Sequence, residues 1–196
     1  MSLNINARTA ALVLIDLQNG ILSMQLAPHD AAQVVDKAVK LGRRFREIGA
    51  PVVLTRVAFS NNYVDKLNQP VDVPMQVPPG GLPPEWSQFA SEIELLSADV
   101  VITKRQWSAF FGTELDLQLR RRGISTIVLG GISTNFGVES TARDAWQYNY
   151  AVIVAEDAST SVDADLHKFS IERILPRVAR VRTTEEIISA LPGNAS

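Results

Sequence analysis

The sequence predicts an α/β fold: a three-layer α/β/α sandwich built on a six-stranded, mostly parallel sheet. Short apolar runs alternate with segments of helical periodicity along the chain, which is typical of strand–helix–strand units. The first of these runs is continuously apolar, as expected of a strand covered by helices on both faces. The 196 residues are enough for one domain with a substantial core, and we expect residues 1–196 to form a single domain.

The first predicted strand covers residues 10–15, and the helix after it begins at Asp30. Asp30 and Gln33 have the spacing of a capping box, and Gly49 is a residue type that often follows a helix C-terminus. Residues 51–57 form the second predicted strand, with its proline at the start, where proline is tolerated.

Residues 58–90 are expected to lack regular structure. Six of the ten prolines lie between Pro70 and Pro84, beside Gly80 and Gly81, and proline both fixes φ and lacks an amide hydrogen. A loop of this length within a domain is often a lid or an interface arm. A passive surface excursion explains the composition equally well.

The second half of the chain continues the alternation. Its predicted strands cover residues 99–103, 125–129, 151–155 and 179–181. Its predicted helices cover about 113–122, 135–148 and 164–175, and a last helix opens with a capping box at Thr183–Glu186. Four residues of the helix over 135–148 are expected to pack toward the sheet: Phe136, Ala142, Ala145 and Trp146.

Charge and hydropathy exclude two classes of partner. The net charge of −2 and the pI near 5.7 argue against a nucleic-acid binder, which needs a concentrated basic face. No apolar run approaches the ~18 residues of a membrane span, and the N-terminus shows no signal-peptide pattern. We therefore expect a cytoplasmic protein with a small-molecule substrate and with no nucleic-acid or membrane partner.

The chain contains no cysteine. This excludes disulfides, thiolate metal sites and thiol nucleophiles. The two histidines, His29 and His167, are too few for a three-histidine zinc site, and no His-Glu-x-x-His run occurs.

Three segments that follow apolar strands can meet at one edge of the sheet. Asp16 follows the first strand, Lys104 the third and the turn 130–137 the fourth, and the carboxyl ends of parallel strands share the edge at which ligands bind. Partial burial would raise the pKa of the Asp16 carboxyl and favour proton transfer, and an ammonium at Lys104 would tune that carboxyl. For each residue alone, a turn-capping aspartate and a solvated lysine are the more common cases.

The turn 130–137 contains three glycines and opens a helix. Its unpaired backbone N–H groups can hold an anion or a developing oxyanion. It lacks the Gly-Lys-Ser/Thr ending of a phosphate-binding loop, and Ser133 lacks the flanks of a nucleophile elbow. Beyond Lys104, the side chains of Trp107 and Phe110 are candidates for an apolar pocket wall, although aromatic residues more often belong to the core.

Three motifs occur in order along the chain: LIDLQ at 14–18, KRQWSAF at 104–110 and GISTNFGVESTARDA at 131–145. Together they resemble the isochorismatase-like hydrolases of the cysteine hydrolase superfamily. The resemblance covers nearly the whole chain, from residue 10 to the last helix. It implies the same α/β sandwich with a Rossmann-like topology.

In the thiol-dependent members of that family, an Asp, a Lys and a Cys form the catalytic set. The resemblance places Asp16, Lys104 and Gly137 at these positions. A glycine cannot form a thioester. The resemblance therefore implies the mechanism of the isochorismatases proper, which also carry glycine at this position and cleave a vinyl ether without a covalent enzyme intermediate. We therefore predict a hydrolase of a small metabolite, acting on a vinyl ether or a related C–O or C–N bond.

The resemblance also suggests how substrate is held. A non-proline cis peptide is expected between Ile132 and Ser133, with the N–H groups of Ser133 and Gly137 facing the site. The expected pocket-lining residues are Gln18, Trp107 and Phe110. Arg56, at the end of the second strand, is a candidate partner for substrate charge on position alone, and a surface ion pair explains it equally well.

Nicotinamidases of this family bind a metal through an Asp-x-His-x-x-His run, which is absent here; we predict no metal and no cofactor. A homo-oligomer is expected because members of the family usually associate. The alternative function is a catalytically inactive member that binds a small molecule or serves as a scaffold. A nucleotide-dependent enzyme is disfavoured, because the first strand–turn lacks Gly-x-Gly-x-x-Gly.

Overall fold

The computed structural model describes residues 3–193 and confirms the predicted α/β sandwich. Its strands are β1 (Ala10–Ile15), β2 (Val52–Val57), β3 (Val100–Lys104), β4 (Thr126–Ile132), β5 (Ala151–Thr160) and β6 (Arg180–Arg182). They form one sheet in the order β3–β2–β1–β4–β5–β6. Every neighbouring pair is parallel, so the sheet is wholly rather than mostly parallel.

Helices cover both faces of this sheet. They are α1 (Asn19–Leu22), α2 (Ala31–Glu47), α3 (Ser91–Glu94), α4 (Leu115–Arg121), α5 (Glu139–Gln147), α6 (Ala164–Phe169) and α7 (Thr184–Ala190). Both predicted capping boxes form, at Asp30 for α2 and at Thr183 for α7. The short helices α1 and α3 were not predicted, since four residues carry too little periodicity to reveal a helix.

The central strand β1 explains the two-sided core. All six of its residues are buried. Leu12 and Leu14 pack in one apolar cluster with α2 and α7, while Val13 and Ile15 pack in a second cluster with α4 and α5. Alternate residues of a strand point to opposite faces, so a continuous apolar run is what a doubly covered strand requires.

Several elements extend beyond their predicted ends toward the carboxyl edge of the sheet. Lys104 is the last residue of β3 rather than the residue after it. Strand β4 continues through the glycines to Ile132, and β5 continues to Thr160. The pairing of these two strands shifts in register between Leu129 and Gly131 of β4. The glycines and the polar end of β5 concealed these extensions, because neither is typical of strands.

The helix predicted over 135–148 has a different beginning and a narrower buried face. A π-helical turn, Thr134–Val138, precedes α5, and similar irregular turns follow α6 at Ser170–Ile174 and Leu175–Arg177. Ala142 and Ala145 are fully buried, as predicted. The prediction was wrong for Phe136 and Trp146, whose side chains are exposed. Phe136 lies in the π-helical turn, whose wider spacing changes its angular phase relative to α5, and Trp146 lies outside the narrow face formed by Thr141, Ala142 and Ala145.

Residues 58–90, all of which the structure describes, contain no helix and no strand beyond one isolated bridge between Phe89 and Gln18. The predicted irregular loop is confirmed. Within residues 3–193, no helix combines the length and apolar character needed to cross a membrane.

Gly131 lies in β4 and pairs with Ile15, the last residue of the neighbouring strand β1. Its φ is 127°, and a Cβ there would lie 2.1 Å from the Ile15 carbonyl oxygen. We expect Gly131→Ala to lower the free energy of unfolding by about 3 kcal/mol or more, through both backbone strain and overlap. In Gly49→Ala, where φ is 68° and no atom lies within 4 Å, the loss should be about 1–2 kcal/mol. Equal losses in denaturant titrations would contradict this account.

Candidate active site

Asp16 occupies the first position beyond β1, at the carboxyl edge of the sheet. Its φ of 53° is left-handed, a conformation that aspartate tolerates better than most residues. Its backbone N–H donates to the Thr55 carbonyl, at 3.0 Å. The carboxyl is buried, so this residue is held in place by the continuation of the sheet ladder.

Lys104 ends β3, two strands away, and its ammonium meets the Asp16 carboxyl. The Lys104 Nζ–Asp16 Oδ2 distance is 2.6 Å, and Nζ also donates to the Gln106 carbonyl at 3.1 Å. The lysine side chain is 2% exposed. The predicted meeting of these two groups is confirmed: they form an ion pair within the protein rather than on its surface.

Thr55, in β2 between the two partners, completes the surroundings of the carboxyl. Its hydroxyl donates to Asp16 Oδ1 at 3.3 Å, and the residue is fully buried. The sequence analysis did not identify Thr55, since a threonine in an apolar strand is ordinary. Its position opposite Ile15 in the β1–β2 register is the signal that places it beside Asp16.

Burial raises the pKa of the Asp16 carboxyl above its ordinary value. Desolvation is the largest cause, because it disfavours the charged form. The nearby ammonium of Lys104 and the hydroxyl of Thr55 oppose it. The site therefore contains a carboxyl group that holds its proton more firmly than an exposed aspartate does.

Gly137 lies against this carboxyl. A Cβ at Gly137 would be 3.6 Å from Asp16 Oδ2 and 3.6 Å from the Ile132 carbonyl oxygen, but only 2.9 Å from Ile15 Cγ2. The position where a thiol would emerge thus faces the carboxyl directly. A side chain there requires Ile15 to move.

We expect Gly137→Ala to lower the free energy of unfolding by about 1–3 kcal/mol, the usual cost of an overpacked core position. The overlap is with Ile15, so the cost should shrink sharply when Gly137→Ala is made in an Ile15→Ala background. A double-mutant cycle of urea denaturation measures this coupling. Strict additivity of the two changes would show that Ile15 is not the obstacle.

The turn that carries Gly137 has the predicted backbone. The Ile132–Ser133 peptide is cis, which confirms that expectation. The Ser133 carbonyl accepts hydrogen bonds from the N–H groups of Phe136 and Val138, each at 3.1 Å. That the N–H groups of Ser133 and Gly137 face the site stays a prediction.

Helix α5 braces this turn against the loop that follows β3. The Thr141 hydroxyl donates to the Gly137 carbonyl at 2.6 Å and accepts from the Ala109 N–H at 3.0 Å. Ser108 Oγ donates to Asp144 Oδ2 at 2.5 Å. These bonds connect the segment after Lys104 to the glycine turn.

Gln18 is fully buried, and its side-chain amide forms hydrogen bonds with backbone groups. Nε2 donates to the carbonyls of Val57 and Trp86, at 3.0 and 3.1 Å, and Oε1 accepts from the Val57 N–H at 2.8 Å. Both amide hydrogens are thus engaged. This side chain ties the end of β2 to the 58–90 loop beside the site.

The two predicted aromatic residues lie in different environments. Trp107 is exposed, and its ring centroid lies 4.8 Å from that of Phe136. Phe110 is buried in a core cluster that includes Tyr150, and its ring centroid lies 5.7 Å from that of Tyr150 and 5.5 Å from that of the exposed Tyr148. Trp107 and Phe136 therefore form an exposed aromatic pair between the segments that carry Lys104 and Gly137, whereas Phe110 is part of the interior.

Arg56 follows Thr55 in β2 and so leaves the opposite face of the strand. Its Nε donates to the Thr103 hydroxyl at 3.2 Å, and its guanidinium carbon lies 5.8 Å from the centroid of the Phe89 ring. The structure gives Arg56 an aromatic and a hydroxyl partner. It does not join Arg56 to Asp16 or Lys104.

A second group of polar residues lies beside the glycine turn. His29 and His167 converge on the carboxylate of Glu156, and His167 also contacts Thr134 in the turn. Of the residues described, these three form the group suited to hold a metal ion. The Asp16 carboxylate is not suited to that role, because the ammonium of Lys104 occupies one of its oxygens.

Comparisons with known proteins identify relatives of this chain. The sequence model of the isochorismatase domain matches residues 10–186. The chain is 53% identical over 189 residues to YecD of Escherichia coli O157:H7, an uncharacterized isochorismatase family protein, and the match covers 96% of this chain and 100% of YecD.

Two solved structures extend the comparison. An isochorismatase family protein from Burkholderia thailandensis is 43% identical, with a TM-score of 0.91 over 97% of this chain and 98% of that one. N-carbamoylsarcosine amidase from Thermoplasma acidophilum is 30% identical, with a TM-score of 0.71 over 90% of this chain and 97% of that one.

Proposed function

Because this chain belongs to the isochorismatase family, a family of hydrolases, we propose that it hydrolyses a small metabolite without forming a covalent enzyme intermediate. Asp16 is the general acid, Lys104 tunes it, and the backbone of the turn 133–137 binds a substrate oxygen. The observation that carries the proposal is the buried ion pair of Asp16 and Lys104 facing a glycine. An acid and an ammonium are present where no thiol can attack.

The chemistry of a vinyl ether illustrates how these groups act. The Asp16 carboxyl transfers its proton to the terminal carbon of the C=C bond, and an electron pair of the ether oxygen stabilises the resulting oxocarbenium ion. Water adds to the oxocarbenium carbon and returns a proton to the Asp16 carboxylate. The hemiketal then separates into an alcohol and a carbonyl compound, so the enzyme is regenerated and all atoms balance.

Lys104 contributes in both halves of this cycle. While the acid is protonated, the ammonium limits how far burial raises the pKa of Asp16. After proton transfer, it stabilises the carboxylate that remains, at a 2.6 Å contact. A positioned acid of this kind typically contributes about 10²–10⁴-fold to a rate.

The name of the amidase relative refers to a C–N bond rather than a C–O bond. The same acid can protonate the leaving nitrogen of an amide or urea while water attacks the carbonyl. No thioester intermediate can form at Gly137 during cleavage of a C–O or a C–N bond, because glycine has no side-chain nucleophile. Ile15 also occupies the space that a side chain at this position would need. The substrate screen therefore has to identify which bond is cleaved, C–O or C–N. The same non-covalent mechanism is proposed for both bond types.

The substrate-binding surface is proposed to centre on the exposed rings of Trp107 and Phe136. Ser133 contributes its backbone N–H, and Gln18 acts by positioning the end of β2. Arg56 is retained as a contact for a distal, negatively charged part of the substrate, and Phe110 as an indirect support beneath the pocket. A homo-oligomeric state and a cytoplasmic location also belong to this proposal.

A substrate screen tests the function. Purified protein is incubated with isochorismate, simple vinyl ethers, ureas and amides, and both consumption and the change in melting temperature are recorded. Consumption of one class by wild type and not by Asp16→Asn supports the proposal. A compound that raises the melting temperature but is never consumed would favour an inactive small-molecule-binding protein.

A further inference from the structure

The two histidines of the chain, far apart in the sequence, meet at one carboxylate. His29 Nε2 lies 3.4 Å from Glu156 Oε1, and His167 Nε2 lies 3.7 Å from the same oxygen. One ligand atom of each residue lies within 4.8 Å of the other two. The hydrolytic chemistry of Asp16 and Lys104 uses none of these groups.

These spacings suit a metal ion. Nitrogen and oxygen ligands lie about 2.0–2.2 Å from Zn²⁺, so neighbouring ligands of a tetrahedral site are about 3.3–3.5 Å apart. The His29–Glu156 distance falls in this range and the His167–Glu156 distance is slightly longer. Two imidazoles and one carboxylate also form a donor set that first-row transition ions prefer and that Mg²⁺ does not.

A neighbouring threonine orients the imidazole of His167. His167 is 3% exposed, and its Nδ1 lies 2.8 Å from the hydroxyl oxygen of the fully buried Thr134. When Nδ1–H donates to that oxygen, the lone pair is on Nε2, the atom that faces Glu156. Metal-binding histidines commonly have such a partner on the other ring nitrogen.

Two hydrogen bonds to Thr160 fix the backbone of His29. Its N–H donates to Thr160 Oγ1 at 3.2 Å, and the same hydroxyl donates to the His29 carbonyl at 2.8 Å. Thr160 ends β5, the strand that also carries Glu156. The segment after α1 is thus held at the strand that supplies the carboxylate.

The cluster is also open to an entering ion. The side chains of His29 and Glu156 are 26% and 31% exposed, while His167 lies behind them. The same carboxylate oxygen of Glu156 faces the Nε2 atoms of both histidines, so a cation placed among them would gain one oxygen and two nitrogen ligands. The arrangement has a buried inner ligand and two outer ligands at the protein surface.

We propose that His29, Glu156 and His167 bind one divalent first-row transition-metal ion, with Zn²⁺ as the best match, and leave a coordination position open to solvent. No metal was predicted from the sequence, because it contains no contiguous metal-binding motif and too few histidines for a three-histidine site. Here the three ligands come from separate segments. The site goes beyond the proposed hydrolysis, and no step of that reaction depends on it.

The ion would connect β5 to the turn that contains Ser133. Thr134, which contacts His167, directly follows Ser133. A metal at the cluster would therefore fix the turn from a position outside the Asp16–Lys104 pair. We expect its main effect to be on stability.

A zinc titration tests the site. Full-length protein freed of metal with a chelator is titrated with ZnCl₂ by calorimetry, and bound zinc after dialysis is counted by elemental analysis. Wild type should bind one equivalent, and MgCl₂ should give no saturable binding. We expect His167→Gln and Glu156→Gln each to weaken zinc binding by about 100-fold, and Thr134→Val by about 10-fold.

Two variants keep the outcome interpretable. His29→Gln changes a partly exposed side chain, so it tests the site even if His167→Gln fails to fold. Glu94→Gln, at an exposed carboxylate of α3, should bind zinc as wild type does. Absence of saturable binding by wild type, or unchanged binding in both His29→Gln and Glu156→Gln, would overturn the proposal. The readout is metal binding, so it is independent of any result with Asp16.

Discussion

Asp16→Asn is expected to lower kcat for the substrate found in the screen by about 10²–10⁴-fold, the usual contribution of a positioned acid. Asparagine has nearly the same shape as aspartic acid and can keep a contact with Thr55. It has no proton to give at a useful pKa. The Kd of the substrate should therefore change far less than kcat, as measured by calorimetry or by the shift in melting temperature.

Two controls separate chemistry from folding. Asp16→Asn leaves the Lys104 ammonium buried without its carboxylate, so circular dichroism must show a folded variant at the assay temperature. Asp99→Asn removes another ion-paired aspartate, 2.9 Å from Arg46 and outside the Asp16–Lys104 site, and should retain the wild-type kcat. Substantial turnover by folded Asp16→Asn would remove Asp16 from the mechanism.

Lys104→Met is expected to lower the free energy of unfolding by about 3–5 kcal/mol near neutral pH, because it leaves a buried carboxylate without a partner. The loss should depend on pH. The folded-state pKa of Asp16 is already raised by burial, and removing Lys104, which lowers it, raises it further. Below the ordinary pKa of aspartate the carboxyl is protonated in both states, so the loss is smallest there and grows as the pH rises.

The same change should move the pH profile of any remaining activity. A general acid works while it is protonated, so kcat/KM falls as the pH rises through its pKa. Without Lys104 this falling limb should move to higher pH. Lys37→Met, at a partly exposed pair with Asp157, should cost less than about 1 kcal/mol and leave the profile in place. A limb that moves to lower pH would contradict the role given to Lys104.

The meeting of Asp16, Lys104 and the turn 130–137 was predictable from sequence for a topological reason, whereas Gly137 within that turn was identified by the family resemblance. Each of the three segments follows or ends a parallel strand, and the carboxyl ends of such strands share one edge. The prediction needed only the order of apolar runs. Thr55 was not predicted. The register of β1 against β2 places it beside the carboxyl, and the composition of the two strands does not reveal that register.

The surroundings of the site were less predictable because they depend on the path of irregular segments. Trp107 and Phe110 lie three residues apart in one loop, yet the first is exposed and the second is in the core. No periodicity distinguishes them, since the loop has none. The same reason applies to His29 and His167, which come together through a loop and the unusually long β5.

The most direct test of the central claim, hydrolysis without a covalent enzyme intermediate, is a turnover experiment in ¹⁸O-labelled water. Wild-type protein is allowed several turnovers of the identified substrate and then digested for mass spectrometry. The account predicts one ¹⁸O atom in the hydrolysis product and none in the peptide that contains Asp16. Label that accumulates in the Asp16 carboxylate, as water attack on the acyl carbon of an enzyme-bound ester would leave it, would contradict the account.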